Sequence, residues 1–162
     1  MSFGQERLWF IERYEEGTDA YHIPFGFEFD SSIDIIALKE ALQAIVKRHA
    51  ILRTVFIQDE DGQDYQSIQE APLSIVELSI HASELSDTLN QAVYSLFDLS
   101  TDYPMKAWLY DLGSDKKILM LSIHHVAFDG WSMGVFSKEL QAYYLHYTED
   151  KPALEALPIQ YK

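Results

Sequence analysis

One stretch, residues 116–125, constrains the fold of this chain more than any other. Successive side chains of a β-strand point to opposite faces, so the stretch presents two sets of residues. One face carries Leu119, Leu121, Ile123 and His125. The other face carries Ile118, Met120, Ser122 and His124. Because both faces are largely apolar, the sequence predicts the central strand of a sheet that is covered on both sides.

The chain before this stretch alternates between helical and extended patterns. Residues 22–30 alternate with period two, which predicts a half-buried strand with its apolar face formed by Ile23, Phe25, Phe27 and Phe29. Asp34 is the expected N-cap of the following helix. The inward positions of that helix are Leu38, Ala41, Leu42, Ile45 and His49.

The remaining elements complete an α-β-α-β-β-β-α-β-β-α order. Helices are predicted over 5–14, over 83–97 and after Gly130, and the other strands over 52–58, 65–68, 73–78 and 105–112. Hairpin turns are predicted at 59–62 and 113–115. This order indicates an α+β fold, with helices packed on a mixed or largely antiparallel sheet.

Charge and composition exclude several partners. The chain has 26 acidic and 12 basic residues, a net charge of −14, whereas nucleic-acid affinity depends largely on Lys and Arg neutralising phosphates. It has no cysteine, which rules out disulfides and thiolate zinc sites. The first residues lack the pattern of a signal peptide, and no apolar run approaches the roughly 20 residues of a membrane helix. We therefore expect a soluble, cytoplasmic protein that binds neither nucleic acid nor membrane.

Histidine and aspartate cluster at one place, residues 124–130, which read HHVAFDG. A metal site is disfavoured here, because adjacent strand residues point apart and cannot converge on one ion. A pair of structural histidines followed by an Asp-Gly turn is one interpretation. A general base, with one imidazole poised near ambient pH, is another. Residue types and spacing alone do not separate these two.

A resemblance to a known protein family distinguishes the structural interpretation of residues 124–130 from the catalytic one. Residues 124–132, HHVAFDGWS, resemble the HHxxxDG signature of nonribosomal peptide synthetase condensation domains. Residues 2–10, SFGQERLWF, resemble the family's first motif, with Gly where Ala is common. Residues 48–56, RHAILRTVF, resemble its RHExLRTxF motif, with Ala where Glu is usual, and residues 20–24 resemble its YNIP segment. The continuation DGWSM looks like a condensation domain rather than the related epimerization domain.

The resemblance implies a fold like that of chloramphenicol acetyltransferase. Condensation domains contain two such lobes and are more than twice as long as this chain. Residues 157–162 resemble the approach to the next family motif, YxDYAVWQ. We therefore expect residues 1–162 to be a single lobe, the N-terminal half of a condensation domain truncated at both ends.

The resemblance also implies a reaction. In the family, the amine of an acceptor aminoacyl thioester attacks a donor acyl or peptidyl thioester and forms an amide. Both substrates are held on phosphopantetheine arms of peptidyl carrier proteins, so the expected partners are these carriers, a C-terminal lobe and neighbouring synthetase domains. No directly bound cofactor or metal is expected. His125 aligns with the residue described as general base or as positioning and electrostatic group, and the sequence does not decide between the two roles.

The same motifs suggest the other site residues. Asp129 aligns with an aspartate expected to form a buried ion pair with Arg53, which would tie the second motif to the third. Gly130 is expected to let the backbone pass close to substrate and to offer its N–H to the developing oxyanion. His124 is expected to have mainly a packing role. The candidates for lining the substrate tunnel are Gln5, Arg7, Arg48, Trp131 and Ser132.

Two functional classes stay open. The first is an enzyme lobe of an amide-forming acyltransferase. The second is a non-catalytic lobe that docks a carrier protein or serves as a scaffold in a degenerate domain. We expect the isolated lobe to be inactive, because the family's active site lies in a tunnel between two lobes. Its exposed apolar surface should favour self-association despite the charge of −14.

Overall fold

The computed structural model describes residues 1–14, 18–113 and 116–161. Four helices and six strands lie within them, in the order α1 Phe3–Tyr14, β1 His22–Asp30, α2 Ile35–Arg48, β2 Thr54–Gln58, β3 Asp64–Ile68, β4 Ile75–Ser79, α3 Leu85–Val93, β5 Met105–Asp111, β6 Lys116–His124 and α4 Gly130–Glu149. Short 3-10 turns cover Ala50–Arg53 and Ala82–Glu84. None of the described helices is long and apolar enough to cross a membrane.

The main sheet has four strands in the order β1-β6-β5-β4. Strand β6 pairs antiparallel with both β1 and β5, while β4 runs parallel to β5. The predicted central position of β6 and the predicted mixed sheet are therefore confirmed. Strands β2 and β3 form a separate antiparallel pair. Of the hairpin predicted at 113–115, residues 114 and 115 lie outside the described residues.

The two faces of the sheet pack against different helices. Leu119, Leu121 and Ile123 of β6 are fully buried in the larger core, to which α2 and α4 contribute their apolar stripes. Ile118 and Met120 face a smaller cluster that α3 covers. Each face thus buries its apolar side chains under a helix, which is the physical reason for the doubly apolar pattern of this strand.

The start of α2 follows the sequence closely. The Asp34 carboxylate accepts hydrogen bonds from the N–H groups of Ile36 and Ala37, at 2.9 and 3.0 Å, and so satisfies two donors of the first helical turn. The helix ends at Arg48, and His49 follows as its C-cap. His49 therefore lies at the end of α2, outside the inward stripe in which it was predicted.

Two predicted elements are shorter in the structure. The strand predicted from residue 52 begins at Thr54, because residues 50–53 form a 3-10 turn. The helix predicted over 83–97 ends at Val93. Val93 packs on the smaller cluster, whereas Phe97 is buried in the larger core. The four-residue spacing between Val93 and Phe97 therefore does not indicate a shared helical face, because the two side chains pack in different places.

Candidate active site

The turn that follows β6 carries the predicted catalytic histidine. The His124 N–H donates to the Pro104 carbonyl at 2.9 Å, and the His125 N–H donates to the Tyr21 carbonyl at 2.8 Å. The Ala127 N–H donates back to the His124 carbonyl at 3.0 Å. Bonds to the residues that immediately precede β1 and β5 therefore anchor the backbone on which His125 stands.

The two adjacent histidines have opposite surroundings. His124 is completely buried, while His125 is exposed. The expectation that they point apart is confirmed, whereas the sequence also predicted that both imidazoles, at the end of a strand covered on both sides, would be partly desolvated, and this is wrong for His125. Strand β6 ends at His124, so His125 leaves the sheet at the turn and its side chain reaches solvent.

His125 borders a cleft of about 500 Å³. Residues from all three motif segments contribute to its wall, among them Gln5, His49, His125, Asp129, Ser132 and Tyr161. A second cavity of about 330 Å³ shares His49, Asp129 and Ser132 with the cleft and continues to Trp131 and Val135. A larger groove of about 840 Å³ lies along β4 and β5 and contains none of the predicted site residues.

Asp129 caps the helix that begins beside His125. Its carboxylate accepts hydrogen bonds from the Ser132 N–H at 2.9 Å and from the Ser132 hydroxyl at 2.7 Å. The Asp129 N–H in turn donates to the Ser132 Oγ at 3.3 Å, which completes a reciprocal cap. The hydrogen bonds from Ser132 lower the pKa of the Asp129 carboxyl group.

The expected ion pair between Asp129 and Arg53 is absent from the described structure. Asp129 is exposed and occupied by the cap, so the prediction of a buried pair is wrong. The Arg53 Nη1 donates instead to the Gln69 carbonyl at 2.6 Å and to the Glu70 carboxylate at 2.9 Å. The 3-10 turn that ends at Arg53 directs this side chain toward the end of β3.

A different ion pair joins the second motif to α4. The Arg48 Nε lies 2.8 Å from the Glu139 carboxylate, and the His49 Nε2 lies 2.5 Å from its other oxygen. Glu139 is buried. A signal for this ion pair was present in the sequence, because Glu139 lies beside Phe136 and Leu140 on the inward stripe of α4, where an unpaired carboxylate would be costly.

The segment after α4 closes one side of the cleft. The Gln160 side chain accepts from the Ala50 N–H at 3.0 Å and donates to the Arg48 carbonyl at 2.9 Å. These two bonds place Tyr161 against the cleft. This segment resembles the approach to a later family motif, and its contact with the end of α2 was not predicted.

The other predicted residues differ in exposure. Gln5 is buried, and its Oε1 accepts from the Ser2 N–H at 2.8 Å. Arg7 lies exposed on α1, and Trp131 is 89% exposed at the start of α4. Gly130 is the first residue of α4, and a Cβ there would meet no protein atom within 4 Å. Neighbouring protein backbone therefore does not require glycine at this position.

The residues around His125 offer proton-transfer and hydrogen-bonding chemistry. No group of three or more His, Asp or Glu side chains in residues 1–14, 18–113 and 116–161 is arranged to hold a metal ion. The cleft instead combines an exposed imidazole with the N-terminus of α4, whose first N–H groups have no partner within the helix. Such a site can accept a proton and can donate hydrogen bonds to a developing negative charge.

Comparison with known proteins gives a consistent picture. A family model described as "Condensation domain" matches residues 1–162. A dimodular nonribosomal peptide synthase of Bacillus subtilis is 36% identical over 99% of the chain, which spans 7% of that protein. A probable non-canonical nonribosomal peptide synthetase of Salinispora arenicola is also 36% identical over 99% of the chain, which spans 2% of that protein.

Solved structures share the fold. The X-domain from teicoplanin biosynthesis superimposes with a TM-score of 0.85 at 30% identity, over 96% of this chain and 34% of that one. The first condensation domain of the CDA synthetase superimposes with a TM-score of 0.81 at 18% identity, over 96% and 41%. The predicted α+β fold of a chloramphenicol acetyltransferase-like lobe is confirmed by these likenesses.

Proposed function

The chain belongs to the condensation domain family, and from this premise we propose that it supplies the histidine-bearing lobe of a peptide-bond-forming acyltransferase. The substrates would be a donor acyl or peptidyl thioester and an acceptor aminoacyl thioester, each on the phosphopantetheine arm of a carrier protein. The observation that carries the proposal is the exposed His125 side chain, held on an anchored turn at the wall of a cleft.

The chemistry sets what His125 must do. An α-amino group has a pKa of about 7.7–8.0, so a useful fraction of the acceptor amine is already neutral near pH 7.5. The demanding part is loss of a proton as the amine adds to the thioester carbonyl, together with alignment of the two groups. The imidazole of His125 would accept that proton or hold the amine in line. The thiolate that leaves takes up a proton when the adduct collapses.

The start of α4 would stabilise the charge that develops on the thioester oxygen. Gly130 is the first helical residue, and its N–H is one of the donors that the helix does not use internally. The helix dipole adds a partial positive charge at this end. Asp129 would contribute by capping the helix, which orients its first turn beside His125.

The experiment uses a complete condensation domain that contains this chain, with loaded donor and acceptor carrier proteins, in a single-turnover assay. His125→Ala should slow amide formation by about 10²–10⁴-fold, the range for loss of a general acid–base group. His81→Ala replaces an exposed histidine outside the cleft and serves as the matched control. Turnover by His125→Ala at the rate of the control would contradict the proposal.

A second variant separates the two roles of His125. His125→Gln keeps a hydrogen-bonding side chain but cannot accept a proton at neutral pH. If His125 mainly positions the amine, this variant should keep much of the activity that His125→Ala loses. If His125 transfers the proton, both variants should be equally slow.

The isolated chain should be inactive even with His125 intact. His125 is exposed, so a second wall that excludes water and orients the thioesters would have to come from outside this chain. Orientation can supply about 7–11 kcal/mol of a barrier. Product formation by the 162-residue chain alone, above the uncatalysed background, would overturn this reasoning.

The isolated chain should also self-associate. Several large apolar side chains are exposed on α1 and at the start of α4: Phe3, Phe10, Tyr14, Trp131 and Val135. Sedimentation velocity should therefore detect a dimer whose population rises with salt, because salt screens the repulsion between chains of net charge −14. A monomer at all salt concentrations would contradict this expectation.

A binding role is the alternative. The X-domain that is 29% identical to this chain has been solved as a "Complex of the X-domain and OxyB". By analogy, this lobe would dock a carrier protein or another protein without turnover. Normal binding of carrier proteins together with no amide formation by the complete wild-type domain would favour this alternative.

A further inference from the structure

Three titratable side chains, Glu12 of α1, His22 of β1 and His124 of β6, lie close together. His124 of β6 is completely buried, and Glu12 of α1 is largely buried, with 10% of its side chain exposed. The His124 Nε2 lies 3.4 Å from the Glu12 Oε2. The ring of His22, which pairs with His124 across the two strands, lies 5.8 Å from the ring of His124.

The hydrogen bonding of His124 identifies its tautomer. The Val126 N–H donates to the Nδ1 of His124 at 3.0 Å, and a ring nitrogen can accept only when it carries no proton. In the neutral ring, the proton is therefore on Nε2, which is the nitrogen nearest to Glu12. Among the residues that the structure describes, neither the Glu12 Oε2 nor the His124 Nε2 has a hydrogen-bond partner, and the same holds for the Trp9 Nε1 and both ring nitrogens of His22. The Glu12 Oε2 and the His124 Nε2 are thus a buried acceptor and a buried donor, 3.4 Å apart, that each lack a hydrogen bond.

We propose that Glu12 is a positioning residue, which holds His124 in the Nε2–H tautomer and thereby fixes the turn that presents His125. With the proton on Nδ1 instead, the ring N–H and the Val126 N–H would face each other as two donors, and the bond that shapes residues 124–126 would be lost. The effect of Glu12 on catalysis rests on the function proposed above. Its effect on the tautomer and on the turn does not.

The other groups around the ring are compatible with this assignment. Burial is the largest influence on His22 and lowers its pKa, while Glu12 and Asp19 act in the opposite direction but more weakly, so His22 is neutral at pH 7 and places no positive charge beside Glu12. The Phe97 ring lies 5.9 Å from the His124 ring and the Tyr21 ring 6.4 Å from it. Lys106 lowers the pKa of His22 slightly. The Lys106 Nζ lies over the Phe97 ring, 4.8 Å from its centroid.

Long-range proton–nitrogen NMR of the ¹⁵N-labelled chain tests the tautomer directly. The wild-type spectrum should show His124 with a protonated Nε2 and an unprotonated Nδ1 at pH 7. A spectrum that shows the Nδ1–H form or a doubly protonated ring would overturn the inference without any variant. Glu12→Gln keeps the shape of the side chain but makes the acceptor neutral, so the Nε2 proton should move upfield. An unchanged Nε2 proton resonance would show that Glu12 is not its acceptor.

Amide exchange tests the link from Glu12 to the turn. Glu12→Met removes the acceptor at similar volume and should increase the exchange rate of the Val126 amide at least tenfold, whereas Glu12→Gln should restore most of the protection. Glu6→Met makes the same substitution at an exposed site of α1 and should leave Val126 unchanged. Equal protection of Val126 in all three variants and wild type would overturn the proposal. If Glu12→Met does not fold, the Nε2 resonance of Glu12→Gln decides the question.

The catalytic consequence is measured in a complete condensation domain that contains this chain. Glu12→Met should lower kcat by about 10–100-fold, the cost of a small misplacement of a reacting group. The apparent KM for the loaded carriers should stay within twofold. An active wild type with unchanged kcat in Glu12→Met would overturn the catalytic part of this inference. No activity in the wild type would instead count against the proposed function, while the tautomer measurement would still stand.

Discussion

The buried ion pair between Arg48 and Glu139 gives the sharpest stability prediction. It joins the C-terminal residue of α2 to the inward stripe of α4, the two helices that cover one face of the sheet. The exposed fractions of the two side chains are only 13% and 11%. Glu139→Leu and Arg48→Met each remove one partner and replace it by an apolar side chain, and the double variant replaces both.

The magnitude follows from what each single variant leaves behind. Loss of one partner from a buried ion pair typically costs about 3–5 kcal/mol, because the other charge stays desolvated. After Glu139→Leu, the Arg48 Nη1 still donates to the Glu155 carbonyl, so the lower end, about 3 kcal/mol, is expected. For a chain of this length, that corresponds to a decrease in Tm of about 6–12 °C. The double variant should lie much closer to the wild type, since no charge is stranded.

Urea unfolding followed by circular dichroism measures this cycle. His49 loses its acceptor in both variants that lack Glu139, so the cycle isolates the coupling between Arg48 and Glu139. The exposed pair of Lys116 and Glu28 is the matched control, at 2.6 Å with side chains 57% and 58% exposed. Glu28→Gln should cost less than about 1 kcal/mol. Additivity of the two single substitutions within about 0.5 kcal/mol would refute the reasoning.

The remaining predictions also concern unfolding of this chain. Asp129→Ala removes the cap of α4 and should lower the free energy of unfolding by about 0.5–2 kcal/mol. The destabilisation caused by Arg53→Ala should simply add to that caused by Asp129→Ala, because the two side chains do not interact. A coupling free energy above about 0.5 kcal/mol would instead be evidence for an ion pair between them. Burial lowers the pKa of His22, so below about pH 6.5 the unfolded chain binds a proton that the native chain does not. The contribution of His22 to the free energy of unfolding should therefore be complete above that pH and should be lost as the pH falls below it. His22→Phe should make this decline shallower. An unchanged slope of the free energy of unfolding against pH would contradict the reasoning. Gly4→Ala should raise the free energy of unfolding by up to about 1 kcal/mol, because a Cβ in α1 meets no atom closer than 3.9 Å. In Gly26→Ala the Cβ would lie 3.2 Å from a backbone carbonyl of β6, so Tm should fall, and an equal or higher Tm would contradict the packing described.

Much of the fold could be predicted because each element carries a local signal. The doubly apolar pattern of 116–125 predicted the central strand, and alternation over 22–30 predicted the strand beside it. Asp34 predicted where α2 begins. The errors came where one spacing rule joined residues that pack in different places, as in the helix extended to Phe97. Periodicity reports which residues share a face of an assumed element, and it does not report where that element ends.

The site was predicted less completely, because its contacts join distant parts of the chain. The motifs identified His125 and Asp129, but the partner of a charged side chain depends on the tertiary arrangement. Arg53 follows a 3-10 turn toward β3, while Arg48, five residues earlier, reaches α4. The prediction that Arg53 pairs with Asp129 and so ties the second motif to the third is therefore wrong, and the second motif is joined to α4 through Arg48 and Glu139 instead.

The signature motif is largely a folding unit in this structure. His124 is buried and shapes the turn through Val126, and Asp129 caps α4. Within residues 124–130, His125 is the titratable side chain that is exposed and has no such structural task among the described contacts. A chain could thus need most of HHxxxDG to fold and still lose catalysis through a change at His125 alone. Substitutions at His124 or Asp129 should therefore reduce stability and activity together, whereas substitutions at His125 should reduce activity at nearly constant stability.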